Sequence, residues 1–133
     1  MGVTRLRVWI AALAAGALGL GAVSALAQDL GGDAARGKDV FDDRCSDCHV
    51  LEGVGQGPSL IGVVGRKAGS VPGYGYTDAI KAFGRAWTPA ELDQFLQGPK
   101  KLVPGTAMEV IVPDASQRHD LIAYLASLKP PKS

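Results

Sequence analysis

The chain is short of the residues that usually anchor a site or staple a fold. Its 133 residues include two cysteines, two histidines and two methionines. Two cysteines allow one disulfide at most, and half a zinc site would need a second C-x-x-C or a histidine pair. The histidines, His49 and His119, are 70 positions apart. No βαβ pattern surrounds the cysteine pair, which argues against a thioredoxin-like redox motif. Strand-like alternation is absent over any useful length, and there is no internal repeat. A net charge of +1 argues against general nucleic-acid binding, which wants a concentrated basic face.

One long apolar run is present, Val8 to Val23, preceded by Arg5 and Arg7 and followed by Ala25-Leu26-Ala27. Basic start, apolar middle and small-x-small end read as a secretory signal over residues 1–27, cut before Gln28. An uncleaved anchor is the competing reading, because Val8 to Ala27 approaches spanning length. The mature domain is then 28–133, 106 residues with 12 basic and 13 acidic side chains. A domain of this size has little apolar area to bury and gains from a partner inside its core.

Cys45-Ser46-Asp47-Cys48-His49 supplies the clue to that partner. C-x-x-C-H is the spacing by which a c-type haem is attached. On a helix, positions i, i+3 and i+4 share a face. Both thiols then meet the edge of one flat macrocycle as thioethers, and His49 becomes the proximal iron ligand. The apo form of such a chain is expected to be poorly ordered.

The rest of the mature chain reads as helices and long loops. Asp33 caps a helix from about Ala34 into the cysteine motif, with Gly37 as a point of close helix approach and Phe41 beside it. Leu51 to Tyr76 is glycine-rich and aperiodic, a loop of a length that needs something to wrap. Leu60, Val63 and Val64 can line a haem there, while Tyr74, Tyr76 and the Trp87 indole offer hydrogen bonds to its propionates. Thr77 caps a short helix, Asp78 to Phe83, stopped by Gly84. Thr88-Pro89-Ala90-Glu91 opens another as a capping box, ended by Gly98-Pro99. Lys100 to Pro113 reads as loop, and Asp114-Ala115-Ser116-Gln117 starts a last helix striped by Leu121, Leu125 and Leu128. For the sixth iron position the residues leave three readings: Met108 (the one methionine after the signal), His119, or an open site.

Taken together and in order, these segments resemble the small soluble class I cytochromes c, mitochondrial and bacterial periplasmic. The resemblance runs from about Gly32 to Leu128. It is carried by Gly32-Asp33 through Gly37 and Phe41, the Cys45–His49 motif, Gly57-Pro58-Ser59-Leu60, Gly65-Arg66-Lys67 and Gly75-Tyr76-Thr77-Asp78-Ala79. Trp87, Pro99-Lys100-Lys101, Pro104-Gly105-Thr106-Ala107-Met108 and Asp120-Leu121-Ile122-Ala123-Tyr124-Leu125 complete it.

The resemblance implies an all-α cytochrome c fold around one covalent haem c. It implies His49 and Met108 as axial ligands, a Pro58 carbonyl on the other nitrogen of His49, and Arg66, Tyr76 and Trp87 at the propionates. Gly37 and Phe41 are expected to pack on Leu121 and Tyr124. It further implies a monomeric, non-enzymatic electron carrier in the periplasm, free of the membrane after signal cleavage. Its partners would be a cytochrome bc complex and a terminal oxidase or photosynthetic reaction centre, or a dehydrogenase. Lys67, Lys81, Lys100 and Lys101 are the residues expected to steer docking. The chain departs from many relatives at Ile80 and Phe95, where they carry Asn and Tyr, and in its near-neutral charge.

Overall fold

The computed structural model describes residues 30–53 and 55–130. The signal expected at 1–27 and the start of the 28–133 domain therefore lie outside the described residues. Among the described residues there are five helices: α1 (Ala34–Arg44), α2 (Asp78–Phe83), α3 (Pro89–Gln97), α4 (Pro99–Leu102) and α5 (Ala115–Ser127). A single bridge between Lys67 and Ala86 is the one strand-like pairing there. None of these helices is long and apolar enough to cross a membrane.

Side chains close the helix starts. The Asp33 carboxylate accepts from the N–H groups of Ala35 (2.8 Å) and Arg36 (3.1 Å), and Asp114 from Gln117 (2.8 Å). Thr77 and Thr88 accept from Ile80 and Glu91 in the same way. The capping box at α3 is only half made. Glu91 pairs with Arg85 instead of reaching back, and the Thr88 N–H donates to the Ala86 carbonyl (2.8 Å). A guanidinium is a stronger partner for a carboxylate than a neutral amide is.

Two boundaries differ from the sequence reading. α1 stops at Arg44, so the cysteine motif forms the turn after the helix rather than its last turn. The Phe41 carbonyl accepts from both Cys45 and Ser46, and the Ser46 hydroxyl takes the Asp42 carbonyl (2.7 Å), which unwinds the ladder there. One i to i+4 bond survives, from the His49 N–H to the Cys45 carbonyl (2.8 Å), and it keeps the motif wound. The second difference is α4, a single helical turn inside the expected loop. Pro99 at its first position and the Gly98 carbonyl, which accepts from Lys101 and Leu102, suffice to form it. Four residues are too few to show a period.

α1 and α5 cross against one another, and glycine permits the crossing. A Cβ at Gly37 would lie 1.9 Å from the Asp120 carbonyl oxygen and 2.9 Å from Tyr124 Cβ. One turn on, the Phe41 ring meets that of Tyr124 at 5.4 Å between centroids. Asp120, buried, accepts from the Asp33 N–H (2.6 Å) and from Arg36 Nε (2.8 Å), closing the start of α1 onto α5. Phe41, Leu121, Ile122 and Leu125 continue into a core with Leu92, Phe95, Leu96 and Val112. Fully burying each such side chain contributes about 1.5–3 kcal/mol.

Candidate haem site

The core is hollow on one side. A cavity of about 440 Å³ opens between the cysteine motif, the glycine-rich loop, α2, α3, α5 and the Met108 loop. That volume lies within the range of ligand and cofactor sites, roughly 300–1,000 Å³. Cys45, Cys48, His49, Pro58, Arg66, Tyr76, Trp87 and Met108 all line it. His119 does not. It sits beside Asp93, with Nε2 3.7 Å from the Asp93 carboxylate.

The His49 ring is fixed from two sides. Its Nδ1 is 2.8 Å from the Pro58 carbonyl oxygen. A carbonyl can only accept, so Nδ1 carries the proton and Nε2 keeps its lone pair. Nε2 has no hydrogen-bond partner among the described residues. Gly57 supplies the floor: a Cβ there would lie 2.4 Å from Cε1 and 2.5 Å from Nδ1. The two thiols are free, Cys45 buried and Cys48 half-buried. Burial pushes the Cys45 thiol up to about 11, which keeps it protonated near neutral pH. The Cys48 sulfur lies 3.8 Å from Gln56 Oε1.

Arg66 is the unusual charge in the wall. Its guanidinium donates to the carbonyls of Ile61 (2.7 Å) and Ser59 (2.8 Å), with no carboxylate in ion-pair range among the described residues. Burial without a counter-ion lowers its pKa from the ordinary arginine value. A cation so placed at an apolar cavity calls for an anionic group inside it. Trp87 stacks between Phe83 (5.2 Å) and Phe95 (4.8 Å), and its indole N–H has no protein acceptor among the described residues. The Tyr76 hydroxyl accepts from the Val71 N–H (3.3 Å), and Tyr74 bonds the Gln56 carbonyl. Ile80 and Phe95 are buried in the wall and leave that side apolar.

A free imidazole nitrogen, two free thiols, a largely apolar cavity and a cation without a carboxylate partner in its wall fit a covalent haem with its propionates beside Arg66. The four lysines expected to steer docking, Lys67, Lys81, Lys100 and Lys101, lie outside this lining and are exposed. Lys81 rides on α2, Lys100 and Lys101 on α4, and Lys100 pairs with Glu109 at the rim. Gly57, Thr106 and Gln56 belong to the lining and were not singled out for it by sequence pattern. Gly57-Pro58 reads as a turn, and the ring it contacts lies eight positions earlier.

The family model described as "Cytochrome c" matches residues 34–129. Among curated proteins, "Cytochrome c" of Gibberella zeae is 48% identical over 99 residues, 71% of this chain and 93% of that protein. "Cytochrome c2" of Rhodopila globiformis is 46% identical over 101 residues, covering 74% and 95%. Among solved structures, cytochrome cH from Methylobacterium extorquens superposes with a TM-score of 0.69. It is 47% identical and covers 72% of this chain and 99% of that one.

Proposed function

This chain belongs to the cytochrome c family of electron carriers with covalent haem c, and on that premise we propose that it is a periplasmic one-electron shuttle. The haem, when bound, supplies an iron that changes by one charge between ferric and ferrous states. In this reading Cys45 and Cys48 hold the macrocycle, and His49 and Met108 hold the iron. Arg66, Tyr76 and Trp87 meet the propionates. The signal at 1–27 exports the chain, and 28–133 is the working domain.

The observation that carries the assignment is the His49–Pro58 hydrogen bond. It fixes the tautomer and aims a neutral imidazole without adding a charge to the site. Gly57 sets the ring plane from below. Met108, half-buried in a loop that returns across the cavity, offers an uncharged sulfur that favours the reduced metal. Ile80, Phe95 and Leu96 exclude water, so little solvent rearranges when the charge changes. With His49 and Met108 both holding the iron, no substrate would reach the metal, and the chain would carry electrons without catalysing a reaction of its own.

The family resemblance supports the partners: a cytochrome bc complex as donor and a terminal oxidase or photosynthetic reaction centre as acceptor, with a dehydrogenase in either direction. Exposed Lys67, Lys81 and Lys101 steer docking to an acidic face, chiefly through the on-rate. An optical and redox titration of the purified holoprotein tests the assignment. Low-spin spectra with a far-red sulfur-to-iron band, lost in Met108→Ala, are expected. High-spin ferric iron and rapid carbon monoxide binding in the wild type would overturn it.

A further inference from the structure

Met108 has no helix or sheet to hold it. Its loop is fixed at two points instead. Before it, buried Thr106 accepts from the Met108 N–H (3.3 Å). After it, Glu109, Val110 and Ile111 are exposed, and the chain dives back at Val112, which has no exposed surface. The Val112 N–H donates to the Leu96 carbonyl of α3 (2.8 Å).

The other side of Val112 is held by a charge that sequence pattern gives no reason to notice. Arg118, 6% exposed, reaches from α5 and donates from Nη1 to the carbonyls of Val112 (2.9 Å) and Pro113 (2.8 Å). Its Nε donates to Asp93 Oδ1 on α3 (2.7 Å). Asp93 is itself fixed, since Oδ2 accepts from Gln97 Nε2 (2.7 Å). Neither Arg118 nor Asp93 lines the cavity. Burying a guanidinium is costly unless its donors are met, and here α3, α5 and the loop are all needed to meet them. Releasing it frees the chain from Met108 to the start of α5, which then gains backbone entropy by leaving the cavity.

We propose that Arg118, braced by Asp93, is the positioning residue that keeps the Met108 loop closed over the haem. The proposal rests on the reading of Met108 as the sixth ligand. An external ligand gains the iron only when the loop opens, so cyanide binding to ferric protein reports how often it does. A lysine at 118 cannot span two carbonyls and a carboxylate together, and an amide at 93 removes the counter-ion while sparing the carbonyl contacts.

The experiment uses purified holoprotein of the wild type, Arg118→Lys, Asp93→Asn and, as control, Phe41→Leu at the α1–α5 crossing. Cyanide binding rate, far-red band and guanidinium unfolding are measured on each. Loss of a charge-assisted hydrogen bond predicts binding about tenfold faster in Arg118→Lys and about threefold faster in Asp93→Asn, with a weakened far-red band. Phe41→Leu lowers global stability and leaves the cyanide rate unchanged. If Arg118→Lys gives no holoprotein, Asp93→Asn decides. Rates within about twofold of wild type in the brace variants overturn the proposal, as does equal acceleration in Phe41→Leu. A wild type without the far-red band instead overturns Met108 ligation itself.

Discussion

Beneath the His49 imidazole, Gly57 leaves room for a hydrogen and nothing more. Gly57→Ala places a methyl group inside the ring's contact distance and must tilt it off the Pro58 carbonyl. Overpacking of this kind costs about 1–3 kcal/mol. The expected outcome is a lower guanidinium midpoint for the holoprotein and a shifted reduction potential. A variant matching the wild type in both would mean that the loop yields and the ring does not. Gly57 is not among the glycines with positive φ, so its turn geometry is open to other residues. The demand for glycine comes from a ring met across the turn. That contact is spatial, and no local pattern encodes it. The C-x-x-C-H spacing, by contrast, is legible because its chemistry is confined to five consecutive residues. Arg118 shows the reverse case, a charged residue beside His119 whose burial depends on three separate segments.

At the scale of elements, the helix starts were readable because each cap and the N–H that donates to it lie within three residues. Asp33, Thr77, Thr88 and Asp114 all cap where the sequence places them. The end of α1 and the presence of α4 were not, since Ser46 bonding and a single proline-led turn leave no periodic trace. A close helix approach was foreseen from Gly37, with α5 as the partner only through the family pattern, and the crossing makes two predictions. Gly37→Ala gains about 1 kcal/mol of helix propensity. Against this, its methyl group would meet backbone 1.9 Å away, which cannot swing aside as a side chain can. The clash wins, and a net loss of about 1–3 kcal/mol is expected from denaturant unfolding.

The second prediction concerns acid. The hydrogen bond from Arg36, aided by the Asp33 N–H, holds the Asp120 carboxyl below the usual carboxylate range. A carboxylate whose folded pKa is depressed stabilises the protein fully above its unfolded pKa of about 3.9, and that contribution is lost as pH falls through the folded value. Asp120→Asn should therefore be less stable at neutral pH and lose less between about pH 4 and 2. Thermal midpoints measured across that window check the sign. Parallel acid limbs for the two proteins would count against it.

For the whole molecule, core and cavity share their walls. Ile80, Trp87, Leu92, Phe95, Leu96, Leu121 and Leu125 belong to both. Without the group that fills it, the 440 Å³ cavity leaves these apolar side chains facing water, and burying each contributes about 1.5–3 kcal/mol. A few such side chains together amount to the entire stability of a typical small domain, about 5–15 kcal/mol. A Cys45→Ala/Cys48→Ala chain made without haem should thus lose its near-ultraviolet circular dichroism and much of its helicity. Retention of both would show that the fold stands without a filled centre. Of the residues lining this space, sequence spacing alone could group only Cys45, Cys48 and His49. Pro58, Arg66, Tyr76, Trp87 and Met108 arrive on loops, where no periodicity relates them; residue chemistry and position offered Tyr76, Trp87 and Met108, and only the family pattern added Pro58 and Arg66.

Asp33 and Asp120 touch although 87 positions separate them. During synthesis the clasp between the two ends therefore has to wait until nearly the whole polypeptide has emerged. Until then the segment with Cys45 and Cys48 has no C-terminal helix to close upon, and both thiols stay within reach of whatever delivers the porphyrin.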